Sequence, residues 1–260
     1  MGLYDKNVST SRRVMVIFFI IDSSGSMKGT KIGQVNTASE DIMKEIRKLS
    51  EDNTSAEIKV CVLDFATKAT WMTPEPVSVE AKEYKWDYVE AGGLTAMGDA
   101  FRKMNEALSK DKFMKEKAGS FAPVLFLMSD GEPTDDYRSG LEVLKCNNWF
   151  KAAIKVAIGI GDDANMSVLE EFTGSKESVV TTHTPEELKK WIQFIAMRSS
   201  QIGSQSSNAA GDNKNAQVQE EIDKEKKKEE TEPKSVPAPK PVPTPKPPKS
   251  GTKDSEYLAW

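Results

Sequence analysis

The stretch Val14-Met15-Val16-Ile17-Phe18-Phe19-Ile20-Ile21, followed at once by Asp22-Ser23-Ser24-Gly25-Ser26, decides the fold. Eight consecutive apolar residues, most of them β-branched or aromatic, are too few to span a membrane. They have the length of a strand buried on both faces, the kind found inside parallel sheets. At its C-terminal end the run turns abruptly into small oxygen-bearing residues. Open parallel sheets place their ligand sites at the carboxyl ends of the strands. Asp22, Ser24 and Ser26 are therefore expected on one loop with their oxygens converging on a point. A donor set made only of hard oxygens suits Mg²⁺.

Working outward, apolar residues at Ile32, Val35, Ile42, Ile46 and Leu49 predict a helix over 31–49. A strand is expected over 58–64, with a hairpin partner at 70–72 that Pro74 and Pro76 stop. Tyr84, Trp86 and Tyr88 alternate along a long connection, 77–91, and are expected on the sheet or its rim. A helix over 97–108 buries Met97, Phe101, Met104 and Leu108, and Val124–Met128 forms the next strand. Beyond it the pattern predicts a helix over 137–147, a strand over 153–160, a helix over 164–172 capped by Asp162 or Asp163, and a short strand at 179–180. Thr184-Pro185-Glu186-Glu187 is a capping box, opening a helix to about 202 with Leu188, Trp191, Ile192 and Ile195 inward. Strands alternating with helices predict an α/β fold: a doubly wound, mostly parallel sheet flanked by helices, with an antiparallel edge strand.

The pattern Asp22-x-Ser24-x-Ser26 resembles the first motif of the von Willebrand factor A (vWA) family, where it opens a metal-ion-dependent adhesion site. The resemblance calls for a Thr and a second Asp at later strand ends. Thr95 lies in Gly92-Gly93-Leu94-Thr95-Ala96-Met97-Gly98, just before a helical pattern, and Asp130 lies in Ser129-Asp130-Gly131, just after the apolar run at 124–128. The resemblance implies direct contacts to Mg²⁺ from Ser24, Ser26 and Thr95. Asp22 and Asp130 would hold the ion's waters or bind it directly, and Mn²⁺ is the alternative ion. Two carboxylates roughly balance one divalent cation, which leaves the metal with appetite for one more anionic oxygen, typically an Asp or Glu carboxylate of a protein partner. Glu132, Asp135, Asp136, Asp162 and Asp163 read as caps and solvated rim rather than further ligands.

A narrower resemblance rests on IDSSGSM (21–27), AGGLTAMG (91–98), LMSDGEPTDD (127–136) and IKVAIGIGDDA (154–164). These segments look like the bacterial TerY-like, stand-alone vWA proteins of tellurium-resistance and related stress systems, over roughly residues 12–203. That implies a scaffold role beside a kinase-like protein and a PP2C-type phosphatase. The rival classes are an accessory subunit of an AAA+ ATPase machine and a Mg²⁺-dependent hydrolase. Haloacid-type phosphatases need a second Asp two residues after the first, and here that position is Ser24. A Gly-x-x-x-x-Gly-Lys loop is missing, and the single histidine, His183, makes no credible triad. The expectation is a binding protein, not an enzyme.

Hydrophobic residues make up 38% of the 260, low for one globular unit, so part of the chain is expected to lie outside the core. From Gly203 onward ten lysines face ten acidic residues, so the net charge of −4 belongs to the body. A mildly acidic body disfavours nucleic acid and anionic membrane as partners. The domain expectation is a vWA unit over 1–203 and a disordered Lys/Glu- and Pro-rich linker over 204–250, in which 217–232 visits a helix. A docking peptide over 251–260 would carry Tyr257, Leu258 and Trp260. Cys61 and Cys146 are expected as reduced thiols, and one His with two scattered Cys builds no zinc site. Arg12-Arg13 before an apolar run mimics an export signal, but cleavage there would destroy the metal loop, and Lys6 breaks a myristoylation pattern. A cytoplasmic location is expected.

Overall fold

The computed structural model describes residues 12–81, 85–116, 119–204 and 212–231. Strand β1 (Arg13–Asp22) lies at the centre of the sheet. It pairs in parallel with β2 (Ala56–Phe65), from Arg13 opposite Ala56 to Asp22 opposite Phe65. Two short strands, β3 (Ala69–Trp71) and β4 (Val77–Ser78), pair antiparallel with β2. On its other side β1 pairs in parallel with β5 (Val124–Ser129), which is followed outward by parallel β6 (Ile154–Ile160) and β7 (Val179–Thr182). The order is β3-β2-β1-β5-β6-β7. The chain thus builds outward from β1 first to one side and then to the other. The strand order reverses at the β1/β5 boundary, where open α/β sheets leave a crevice at the strand ends.

The doubly buried character of β1 follows from its period of two. Met15, Ile17, Phe19 and Ile21 pack on one face with Val35, Ile42 and Ile46 of helix α1 (Thr30–Glu51). Val14, Val16, Phe18 and Ile20 pack on the other with Met97, Phe101 and Met104 of α2 (Met97–Ala107). Helix α3 (Tyr137–Cys146) adds Leu141 and Leu144 to this second core, and α5 (Met166–Thr173) adds Leu169 and Phe172. Helix α6 (Pro185–Ser204) returns to the α1 side with Leu188, Trp191, Ile192 and Ile195. One uninterrupted apolar run therefore feeds two cores, and a polar residue anywhere in it would face a buried layer.

The expected α/β architecture is the observed one, and three local readings need correction. A short helix, α4 (Asn148–Ala152), follows α3 because the Asn147 side chain accepts from the Trp149 and Phe150 amides at 2.8 and 3.4 Å. The cap of α5 is Asn165, which accepts from the Val168 amide at 3.4 Å, rather than Asp162 or Asp163. The aromatics of the long connection divide. Trp86 is buried against Phe19, with ring centroids 6.3 Å apart, and donates to the Asn36 side chain at 3.1 Å, whereas Tyr88 is exposed. Tyr84 lies outside the described residues.

The linker expectation for 204–250 is revised over 212–231. These residues form a helix, α7 (Asp212–Thr231), and bury Val218 and Ile222 in the α1–α6 core. Among the described residues of α7 these two, four apart, are the buried apolar side chains, so the segment reads as a charge run. Ion pairs add to them: Lys190 to Glu229 at 2.6 Å and Arg198 to Glu221 at 3.6 Å. Lys226 donates to the carbonyls of Glu177 and Val179 at 2.7 and 2.6 Å, anchoring the helix where β7 begins. The Pro-rich spacer and the peptide at 251–260 lie outside the described residues. Cys61 is buried, Cys146 is exposed, and both are free thiols.

Candidate metal centre

Three loops meet where β1 and β5 end. The first runs from Asp22 into a short 3₁₀ turn, Gly25–Met27. The Asp22 carboxylate is fully buried and is held at both oxygens: it accepts from the Ser24 amide at 2.8 Å and from the Ser129 hydroxyl at 2.5 Å. Ser129 in turn accepts from the Gly131 amide at 2.7 Å, so one hydroxyl orients Asp22 and shapes the turn that carries Asp130. Next to Asp22, the Ser23 hydroxyl donates to the Asp64 carboxylate, which points Ser23 away from the crevice and toward β2.

Ser24, Ser26 and Asp130 form a continuous row. The Ser24 and Ser26 hydroxyls are 2.9 Å apart, and the Ser26 hydroxyl donates to Asp130 Oδ1 at 3.0 Å. Ser24 and Asp130 are buried and Ser26 is exposed, so the row runs from the interior to solvent. Thr95 is 95% buried on the third loop. That loop is stitched to the first by Gly92 N to Ser23 O at 2.7 Å and Gly25 N to Gly93 O at 3.1 Å. It is stitched to the Asp130 loop by Thr95 N to the Thr134 hydroxyl and Thr134 N to Thr95 O, both 2.9 Å. Gly93 has φ of +83°, and a Cβ there would fall 2.4 Å from the Thr67 hydroxyl, so glycine is required for this approach.

The structure thus brings the loops of Asp22, Ser24, Ser26, Thr95 and Asp130 together, and it accounts for the acidic rim. Asp135 accepts from the Gly98 and Asp99 amides at 2.9 and 3.0 Å and caps α2. Asp136 caps α3 through the Ser139 amide at 3.1 Å, and Glu132 accepts from Asn165 at 2.9 Å. Asp162 lies 2.8 Å from His183 Nε2. Two neighbours escaped the sequence reading. Ser129 had a weak signal, its place directly before Asp130. Lys31 had none: it sits in the first turn of α1 and donates to Asp130 Oδ2 at 2.9 Å and to Asp163 Oδ2 at 2.8 Å.

The donor chemistry fits a hard divalent cation. Burial drives the Asp22 pKa up against the lowering effect of the Ser129 and Ser24 hydrogen bonds, and the negative charge of Asp130 pushes the same way. Such a carboxylate gains from a nearby cation. Among the described residues no three His, Cys, Asp or Glu side chains gather closely enough to hold a metal alone. A metal here would depend on serine and threonine hydroxyls, which suit Mg²⁺ or Mn²⁺ better than a soft thiolate or imidazole site would.

The sequence profile of the von Willebrand factor type A domain matches residues 17–193. The chain belongs to this family. It is 24% identical over 191 residues to inter-alpha-trypsin inhibitor heavy chain H1 of Bos taurus, an alignment covering 69% of this chain and 20% of that one. It is 30% identical over 115 residues to the collagen alpha-6(VI) chain of Mus musculus, covering 44% of this chain and 5% of that one. The chain therefore spans a fifth or less of the curated relatives it matches. Among solved structures it resembles a von Willebrand factor type A protein of Catenulispora acidiphila, with a TM-score of 0.52, 19% identity and coverage of 73% and 43% of the two chains. It also resembles proximal thread matrix protein 1 of the mussel byssus with a zinc-occupied MIDAS motif, with a TM-score of 0.53, 20% identity and coverage of 74% and 46%. Those structural likenesses speak for the fold. Among the described residues no helix is long and apolar enough to cross a membrane.

Proposed function

We propose that this vWA domain is a metal-dependent protein-binding module. Ser24, Ser26 and Thr95 would ligate Mg²⁺ through their hydroxyls, with Asp22 and Asp130 holding it directly or through water. Mn²⁺ is the alternative, and a relative with zinc in the corresponding motif supports a divalent ion of some kind. When bound, the ion supplies an electrophilic position for an anionic oxygen, which we assign to an Asp or Glu carboxylate of a protein partner. The observation that carries the reading is the row Ser24–Ser26–Asp130, with contacts of 2.9 and 3.0 Å, backed by the buried Asp22. Ser24 lies where a phosphatase of the aspartate type would need its second carboxylate, so the residues are read as binding rather than turning over.

The finer assignment is a cytoplasmic adaptor of the TerY-like, tellurium-resistance type, working beside a kinase-like protein and a PP2C-type phosphatase. It rests on Gly131-Glu132-Pro133-Thr134-Asp135 and Gly161-Asp162-Asp163, within the segments at 127–136 and 154–164. The test is capture of purified candidate partners by wild type and Thr95→Ala, each with Mg²⁺ or EDTA. Binding of the kinase or phosphatase that is lost with EDTA and with Thr95→Ala supports the proposal. Full-strength binding under both conditions refutes the metal-dependent mechanism. Capture of an AAA+ ATPase instead would move the chain to the accessory-subunit class, and Mg²⁺-dependent phosphoester turnover would make it a hydrolase.

A further inference from the structure

Lys31 stands in the metal centre without belonging to the vWA motif. Its ammonium bridges Asp130 Oδ2 at 2.9 Å and Asp163, whose Oδ1 lies 2.7 Å away. The Lys31 side chain is 18% exposed and that of Asp130 only 4%, whereas Asp163 is 71% exposed. The lysine is therefore shared between a buried anion of the site and a solvated anion of the rim. Its stem runs past Gly161, where an added Cβ would fall 3.0 Å from both Lys31 Cε and Asp163 Oδ1, so the backbone leaves a slot for this side chain. A lysine in the first turn of a helix also opposes the helix dipole, and α1 has no acidic residue there to compensate. The position is locally unfavourable and is offset by its two carboxylate partners.

We propose that Lys31 is a tethered cation that competes with the divalent ion for Asp130 and thereby sets the metal affinity of the site. The proposal rests on the metal-binding reading of Asp22, Ser24, Ser26, Thr95 and Asp130. A divalent ion against Asp130 and an ammonium against the same carboxylate repel each other, and partial burial leaves that repulsion poorly screened. Asp163 provides the second anchor to which the ammonium retreats as the metal enters. Without metal, Lys31 neutralises part of the charge of Asp130. With metal, the same charge is surplus. Lys31 thus stabilises the metal-free fold and weakens metal binding. A lysine that merely held Asp130 in position would do the opposite to affinity, because its loss would loosen a ligand.

The test uses the full chain as wild type, Lys31→Met, Lys31→Gln and Lys31→Arg, with Asp22→Asn as the site control. Mg²⁺ affinity is measured by calorimetry, and thermal unfolding is followed in EDTA and in saturating Mg²⁺. Lys31→Met is expected to bind Mg²⁺ roughly tenfold tighter or better, the order set by removing one unit charge a few ångströms away. Its melting point should fall below wild type in EDTA and match or exceed it in Mg²⁺. Lys31→Gln, which keeps a hydrogen-bond donor but no charge, should tighten binding as Lys31→Met does, and Lys31→Arg should stay near wild type. Equal or weaker Mg²⁺ affinity in both neutral variants overturns the proposal. If wild type still binds Mg²⁺ and Asp22→Asn does not, the metal site itself stands. Failure of both wild type and Lys31→Met to bind Mg²⁺ overturns both readings.

Discussion

Asp22→Asn separates the role of the buried charge from the role of its shape. The side chain is fully buried, accepts from the Ser24 amide at 2.8 Å and from the Ser129 hydroxyl at 2.5 Å, and its pKa is driven up chiefly by burial. A carboxyl whose folded pKa lies above its unfolded value makes the fold less stable as pH rises from the unfolded pKa toward the folded one, a cost that asparagine does not carry. Asparagine keeps the volume and one acceptor, and its amide can donate to Ser129, whose hydroxyl then serves as acceptor. In EDTA at neutral pH the variant should therefore melt at or above the wild-type temperature. An ion that binds only the folded state at about a hundred times its Kd adds about 2.7 kcal/mol. For a domain of this size that corresponds to roughly 5–11 °C in melting temperature. Asp22→Asn should lose that gain. Differential scanning calorimetry of both proteins, with EDTA and across a Mg²⁺ series, reads all four values. A Mg²⁺ shift in Asp22→Asn equal to that of wild type would refute the assigned site, and a markedly lower melting point in EDTA would refute the burial argument.

Other perturbations test how the scaffold holds the site. Ile222→Ala removes a fully buried side chain from α7 and should cost about 2–5 kcal/mol of local stability; hydrogen exchange over 212–231 should lose protection, and unchanged protection would mean that α7 does not depend on this contact. Glu80 accepts from Arg12 at 2.7 and 2.8 Å and from Ser50 at 2.5 Å. Burial raises its pKa, but Ser50 and Arg12 outweigh that and hold it below the ordinary range. The stabilisation is present above the unfolded pKa and is lost as pH falls through the folded one. Glu80→Gln should therefore cost about 1 kcal/mol at neutral pH, and denaturant melts of the two proteins should converge in acid. Gly140→Ala would put a Cβ 2.5 Å from the Gly98 carbonyl, forcing α2 and α3 apart. It should cost roughly 1–3 kcal/mol in a denaturant melt, and calorimetry should show weaker Mg²⁺ binding because the Thr95 loop leads into α2; unaltered stability would show that the helices can separate freely.

The sequence by itself determined the parts of this protein whose signals are local and periodic. The run Val14–Ile21 is apolar at every position because both faces of β1 are buried, and that alone implies a central parallel strand. Asp22, Ser24 and Ser26 were legible because they follow such a run, where an open sheet gathers its loops, whereas Thr95 and Asp130 were singled out by the resemblance to the vWA motif, which calls for a Thr and a second Asp at later strand ends. Tertiary structure alone decided which charges meet. Lys31 reaches Asp130 and Asp163 from 99 and 132 residues away, and Ser129 reaches Asp22 across 107. A lysine at a helix start carries no mark of the anion that the fold will set beside it. The same holds for α7: two apolar residues among many charges are too few to drive a helix to pack alone. They suffice once α6 and the sheet present a finished surface on which Val218 and Ile222 can be buried. Periodicity reports what an element does to its own neighbours in sequence, and long-range pairing is set by the folded surface that receives it.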